Sequence, residues 1–280
     1  MKNSPTACVE LSLPGGDRAR IALFGGHVLS WQTADGVERL YLSPDALFDN
    51  ASPIRGGVPI CFPQFNTRGP LPKHGIARVL PWHAETPTQA GAGESQTNSV
   101  RLRLRDSDAT RRWWPQAFEA VLTVTLAPGR LTLALDVRNT DSAPWRFTAA
   151  LHSYLRVADI VQVRLAGLQN QPYWDALTDQ EASEGAAEIA FNGPFDRVYR
   201  GITESARLEV REPRGTLTLT QSASLTEAVV WNPGAALSAT LPDLPDDGYR
   251  SMLCIEAAKI DAPVLLAPGQ RWQGWQQFRA

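Results

Sequence analysis

The run MLCIEAA (252–258) sets one carboxylate, Glu256, in the middle of a continuous apolar strand. Buried glutamates are rare unless they are paired or used. A half-buried carboxylate with a raised pKa is what a general base needs. The plain alternative is an edge strand with Glu256 facing water. Among the four histidines, His152 lies between apolar neighbours in AALHSYL (149–155). An imidazole there must find a partner or carry a desolvation cost. It is either a satisfied core histidine or a site histidine, and the local sequence leaves both open. His27 and His83 have no stronger case than packing.

Residues 52–82 read SPIRGGVPICFPQFNTRGPLPKHGIARVLPW. They hold Arg55, Arg68, Lys73, His74 and Arg78 but no aspartate or glutamate, although acids slightly outnumber lysines and arginines in the whole chain. Chance and a solvated strand face are the plain alternatives to an anion site. The anion reading has a mechanism. Arg55 precedes Gly56-Gly57, where bare backbone can approach a ligand. Lys73 and Arg78 flank the glycine-bounded turn that carries His74. Arginine offers a planar fork to phosphate or carboxylate, and lysine a point charge. Six prolines stiffen the stretch, and rigid loops carrying cations make a preorganised pocket. A small phosphate fits better than a polyanion, which would call for a larger basic surface. Asp196, in GPFDRVY (193–199), binds a polar ligand or caps a turn. Trp82, Trp174 and Trp231 suit the apolar faces of a sugar, though each alone reads more naturally as core.

Other chemistries are excluded by pattern. There is no GxSxG, no HExxH and no cluster with metal-ligand spacing, so neither metal nor cofactor is expected. The glycine doublets lack GxxxxGK[ST] and a following helix, so they form no phosphate-binding P-loop. Three cysteines, Cys8, Cys61 and Cys254, lie far apart. That predicts no disulfide framework and a reducing, cytoplasmic compartment. A net charge of -2 gives no global attraction to nucleic acid or membrane. The start of the chain has no basic segment leading into a long apolar run, so no secretory signal is expected.

The elements that must position these residues are strands. In 118–137, Phe118, Ala120, Leu122, Val124 and Leu126 share one face. A Pro128-Gly129 turn follows, and Leu131, Leu133, Leu135 and Val137 alternate again. This is a hairpin with one buried face. Shorter alternations recur at 101–105, 207–211 and 216–220. Residues 44–48 suggest one helical turn, and 86–97 a polar surface loop. Many short strands with Gly and Pro punctuation predict an all-β protein. The expected architecture is one large antiparallel β-sandwich domain over 1–280.

Together these segments resemble the aldose 1-epimerase superfamily, and within it the hexose-6-phosphate mutarotase branch. The matching stretches are GGHVLSW (25–31), YLSP (41–44), PIRGGVPICFPQF (53–65), HGIARVLPW (74–82), the 139–157 run ending FTAALHSYLRV, DRVY (196–199), VVWNPG (229–234) and DDGYRSMLCIEAA (246–258). IRGG, HGxAR, ALHxY and CxEAA in this order are specific as a set. The resemblance implies a galactose-mutarotase-like supersandwich that interconverts the α and β anomers of a hexose 6-phosphate. It puts Glu256 on the general base and His152 on the general acid. It puts Arg55, Lys73, Arg78 and Asp196 on substrate-binding positions, with His74 beside them. Lys73 departs from the pattern, which has glutamine there. The implied partner is a small sugar phosphate, and the protein is expected to act as a monomer. One base and one acid predict a bell-shaped pH profile. Two other readings stand beside this one. A sugar-phosphate binding module on the same scaffold need not keep both Glu256 and His152. A glycosidase would normally use two carboxylates, for which only Asp196 and Glu256 are available.

Overall fold

The 118–137 alternation forms the predicted hairpin in a computed structural model that describes residues 6–92 and 96–280. Strands Phe118–Ala127 and Arg130–Asn139 pair antiparallel, with Ala127 opposite Arg130 across the Pro128-Gly129 turn. Gly129 takes φ +59° there, the left-handed backbone this tight turn requires. Every apolar residue of the predicted face is buried.

This hairpin is the middle of a ten-stranded antiparallel sheet, which also contains strands Gly215–Gln221 and Arg271–Arg279. A second, eight-stranded sheet is ordered through Pro172–Asp175, Phe195–Arg200, Glu227–Asn232, Met252–Leu266 and Trp145–Leu151. Leu122 and Leu133 of the first sheet share one apolar cluster with Val230, Ile255 and Ala257 of the second. The inner faces of two sheets therefore make the main core, the arrangement of a β-sandwich. Gln276 ties the layers by donating to the Ile255 carbonyl at 2.9 Å and accepting from the Ser153 hydroxyl at 2.6 Å. A three-stranded sheet, Cys8–Ser12, Arg18–Ala22 and His27–Gln32, packs at one side.

Two local expectations are corrected. Residues 44–48 form no helix; the chain makes a hydrogen-bonded turn in which the Ala46 amide reaches the Ser43 carbonyl. The 86–97 stretch is not wholly loop, because Thr88–Ala90 pairs with the 97–99 end of strand Thr97–Arg105. Ladder hydrogen bonds stabilise a strand there that its small polar side chains do not advertise. Positions 93–95 of that stretch, and the first five residues considered for a leader, lie outside the described residues. Among the described residues no helix is long and apolar enough to cross a membrane.

Candidate active site

Strand periodicity decides what faces the cleft. In the eight-stranded sheet Trp174 lies opposite Val198, Val198 opposite Val229, and Val229 opposite Glu256. Side chains alternate across a strand, so this row shares one face while Tyr199, Val230 and Ile255 enter the inter-sheet core. The apolar run around Glu256 is thus buried on both faces. The same register places His152. Leu151 pairs with Ala257 and Tyr154 with Cys254, which leaves His152 directly opposite Glu256. The chain leaves the strand at His152 and Ser153, and the His152 amide donates to the Pro59 carbonyl at 3.0 Å.

His152 Nε2 lies 3.2 Å from Glu256 Oε1. Glu256 is 1% exposed and His152 7%. Glu256 Oε2 and His152 Nδ1 have no hydrogen-bond partner among the described residues. Burial pushes the Glu256 carboxyl well above its ordinary range; Asp196 adds to this, and Lys73 and Arg78 oppose it. Burial also holds the His152 imidazole well below its usual range, helped by His74, Arg78 and Arg55. Each group resists carrying a lone charge, so the pair retains one proton between Oε1 and Nε2 over a wide pH range. The imidazole stacks on the Tyr154 ring at 4.8 Å, which fixes its plane.

His74 meets the His152 ring edge-on at 5.3 Å. Its Nδ1 accepts from the Asn66 amide at 3.3 Å and lies 3.2 Å from the Cys61 sulfur. Burial and the charges of Arg78, Lys73 and Arg55 lower its pKa to about 3. The ring is therefore neutral, with its proton on Nε2. Asp196 is pushed up to about 6, chiefly by burial, against the pull of Lys73 and with a contribution from Asp175.

The cations differ in how free they are. Arg55 reaches Asp243 through Nε at 3.2 Å and Nη2 at 3.1 Å, and donates from Nη1 to the Tyr154 hydroxyl at 3.2 Å. Arg78 donates to the Lys73 carbonyl at 2.8 Å, and its buried Nε has no partner among the described residues. No described carboxylate forms an ion pair with Lys73 or Arg78. Glu256, His152, Arg55, Lys73, His74, Arg78 and Asp196 all line this one cleft of about 230 Å³. Among the described residues no group of three or more His, Cys, Asp or Glu is gathered to hold a metal.

A family profile described as aldose 1-epimerase matches residues 7–279. The chain belongs to the aldose 1-epimerase family. It is 38% identical over 261 residues to a protein of Cenchrus ciliaris named "Putative glucose-6-phosphate 1-epimerase", spanning 91% of this chain and 79% of that one. An Escherichia coli protein of the same name is 33% identical, over 86% of this chain and 79% of its own. The crystal structure of a putative mutarotase from Salmonella typhimurium superposes with a TM-score of 0.88 at 28% identity, covering 98% of this chain and 90% of that one. The expected mutarotase-like β-sandwich is thus the observed fold. Family membership supports interconversion of sugar anomers, an isomerase reaction.

Sequence reasoning missed several neighbours of the site. Asp243, the partner of Arg55, sits 188 residues away in the chain, and nothing local marks it. Arg68 lines the cleft, as do Phe65 and Asn66; Arg68 was visible as one of the four fixed cations of 52–82. Of the three tryptophans, Trp174 and Trp231 line the cleft. Trp82 does not: it is buried, and its Nε1 donates to the Ala77 carbonyl at 3.0 Å. His27 is a packing residue, as expected, buried with Nε2 2.7 Å from the Gly56 carbonyl.

Proposed function

We propose that the protein is a hexose-6-phosphate mutarotase that interconverts the α and β anomers of glucose 6-phosphate or a close relative. One observation carries the phosphate half of this reading. Lys73 and Arg78 enter a sugar-sized cleft beside the Glu256–His152 pair, and no described carboxylate forms an ion pair with either. Cations in a partly desolvated cleft attract a phosphoryl group strongly. The names of the Cenchrus and Escherichia coli relatives point the same way.

The chemistry follows from the pair. Glu256, as the carboxylate, takes the proton from the anomeric hydroxyl. His152, as the imidazolium, gives a proton to the ring oxygen. The C1–O5 bond breaks and C1 becomes the aldehyde carbon. Rotation about C1–C2 presents the other carbonyl face, and closure returns both protons by the reverse steps. The proton count balances, and no covalent intermediate is needed. Each group contributes roughly 10²–10⁴-fold by proton transfer. The direct His152–Glu256 bond must give way as the two sugar oxygens enter between the groups. Lys73 and Arg78 favour the carboxylate form of Glu256, the form that accepts the proton. His74, neutral and protonated on Nε2, is a hydrogen-bond donor for a sugar oxygen. The glycosidase reading finds less support, because His152 and not a second carboxylate faces Glu256.

The test is NMR magnetisation exchange between the anomers of glucose 6-phosphate and of free glucose. We expect acceleration for the phosphate sugar far above that for glucose, and its loss by at least 10²-fold in Glu256→Gln. Equal acceleration of both sugars would keep the chemistry and reject the phosphate assignment. Tight binding without acceleration would make the protein a sugar-phosphate binder.

A further inference from the structure

We propose that Arg68 is a phosphoryl ligand at the rim of the cleft, and that it sets preference for phosphorylated over free sugar. This rests on the hexose-phosphate reading above. Arg68 lines the cleft together with Lys73 and Arg78; Arg68 and Lys73 lie on the connection between strand Ile60–Cys61 and the short 3₁₀ turn Ala77–Val79, which carries Arg78. Its guanidinium lies over the Trp174 indole, 5.1 Å from the ring centroid. Nη1 donates to Asp261 Oδ1 at 2.7 Å. Nε and Nη2 have no acceptor among the described residues. One edge of the fork is thus held while the other is open. The open Nε–Nη2 edge is the one that binds two phosphate oxygens side by side.

Three features make this an oriented group and not a loose surface arginine. The indole and Asp261 fix the plane of the guanidinium from two different strands. The loop that carries it is stapled at its base. The buried Gln64 donates from Nε2 to the Asn66 and Leu71 carbonyls at 2.9 and 3.1 Å, and accepts from the Leu71 amide at 2.9 Å. Asp261 also holds Arg200, which shares its negative charge between two guanidiniums and leaves Arg68 underneutralised.

The decisive comparison uses two substitutions of opposite expected sign. Titration calorimetry of the full chain with glucose 6-phosphate and with glucose reads both. Arg68→Ala should weaken glucose 6-phosphate by roughly 10-fold or more, as expected for a lost charge-assisted hydrogen bond, and weaken glucose far less. Asp261→Asn should tighten glucose 6-phosphate, because it removes the competitor for Arg68; Arg200 keeps Glu181 as a partner. Equal weakening of both sugars in both variants would make Arg68 a strut for Trp174 and overturn the proposal. Unchanged glucose 6-phosphate affinity in Arg68→Ala, or no binding of glucose 6-phosphate by the wild type, would overturn it too. The catalytic reading fails separately. If Arg68 governs glucose 6-phosphate binding but the wild type accelerates no anomer exchange, the ligand assignment stands and the mutarotase reading falls.

Discussion

At the scale of single residues, the site works by making charge expensive and then placing it in one pair. Glu256 and His152 are both driven toward neutrality by burial, and because the two interact, the titration steps that bound the active form belong to the pair and not to either residue. That widens the expected bell: both limbs move away from neutral pH. Asp196 behaves differently. Its pKa is raised to about 6, first by burial and then by Asp175, against Lys73. Below that pH it is protonated and accepts sugar hydroxyls poorly; above it the carboxylate accepts fully. Between pH 5 and 7, kcat should therefore stay level while KM falls roughly tenfold, since one pKa unit is one decade in population. On the proposed reading the sugar phosphate's own second ionisation falls in the same range, so Asp196→Asn is the control. If the KM slope is the same in that variant, Asp196 does not bind the sugar in its ionised form. The sequence disclosed Glu256 because a carboxylate inside an apolar run has few innocent explanations. It left His152 undecided because burial and catalysis leave the same local mark. The carboxylate it faces lies 104 positions away in the chain but directly opposite in the register.

At the scale of elements, the cleft depends on backbone that only certain residues allow. The Arg55-Gly56-Gly57 turn is held from the three-stranded sheet, where His27 Nε2 meets the Gly56 carbonyl at 2.7 Å and the Val58 amide donates to the Val28 carbonyl at 2.8 Å. Gly57 has φ +60°, and a Cβ there would lie 2.2 Å from the Val28 oxygen and 2.8 Å from His27 Nε2. Left-handed backbone costs a residue with a Cβ about 1–2 kcal/mol, and the overlaps add to it. Gly57→Ala should lower Tm by roughly 2–4 °C for each kcal/mol lost, and it should displace Arg55. Thermal unfolding with a parallel KM measurement checks this; an unchanged Tm would mean the turn relaxes freely. The glycine doublet was read as close approach to a ligand. The structure gives it a nearer reason, close approach to another strand. The hairpins were legible because period-2 alternation is local. The Thr88–Ala90 strand was not, because its pairing is made of backbone and leaves no pattern in the side chains.

At the scale of the molecule, one sheet does two tasks. Its inner face joins the main core, and its outer face floors the cleft. The sandwich was readable from composition and punctuation. The order of strands was not, since pairing across long separations has no sequence period. The same limit hid Asp243 and Asp261, the acids that answer the cations of the acid-free stretch. The long strand Met252–Leu266 is the hinge of this design. It pairs with Glu227–Asn232 on one side and with Trp145–Leu151 and Tyr154–Arg156 on the other. A group built into the centre of a ladder cannot be exposed by local fraying. In native-state hydrogen exchange, the Glu256 amide should be among the slowest in the protein and report global opening, while the amides of 66–73 exchange early. If they exchange together, the cleft and its rim open as one unit. If they do not, the Arg68 rim of the cleft can breathe while the Glu256–His152 pair stays shut until the whole sandwich comes apart.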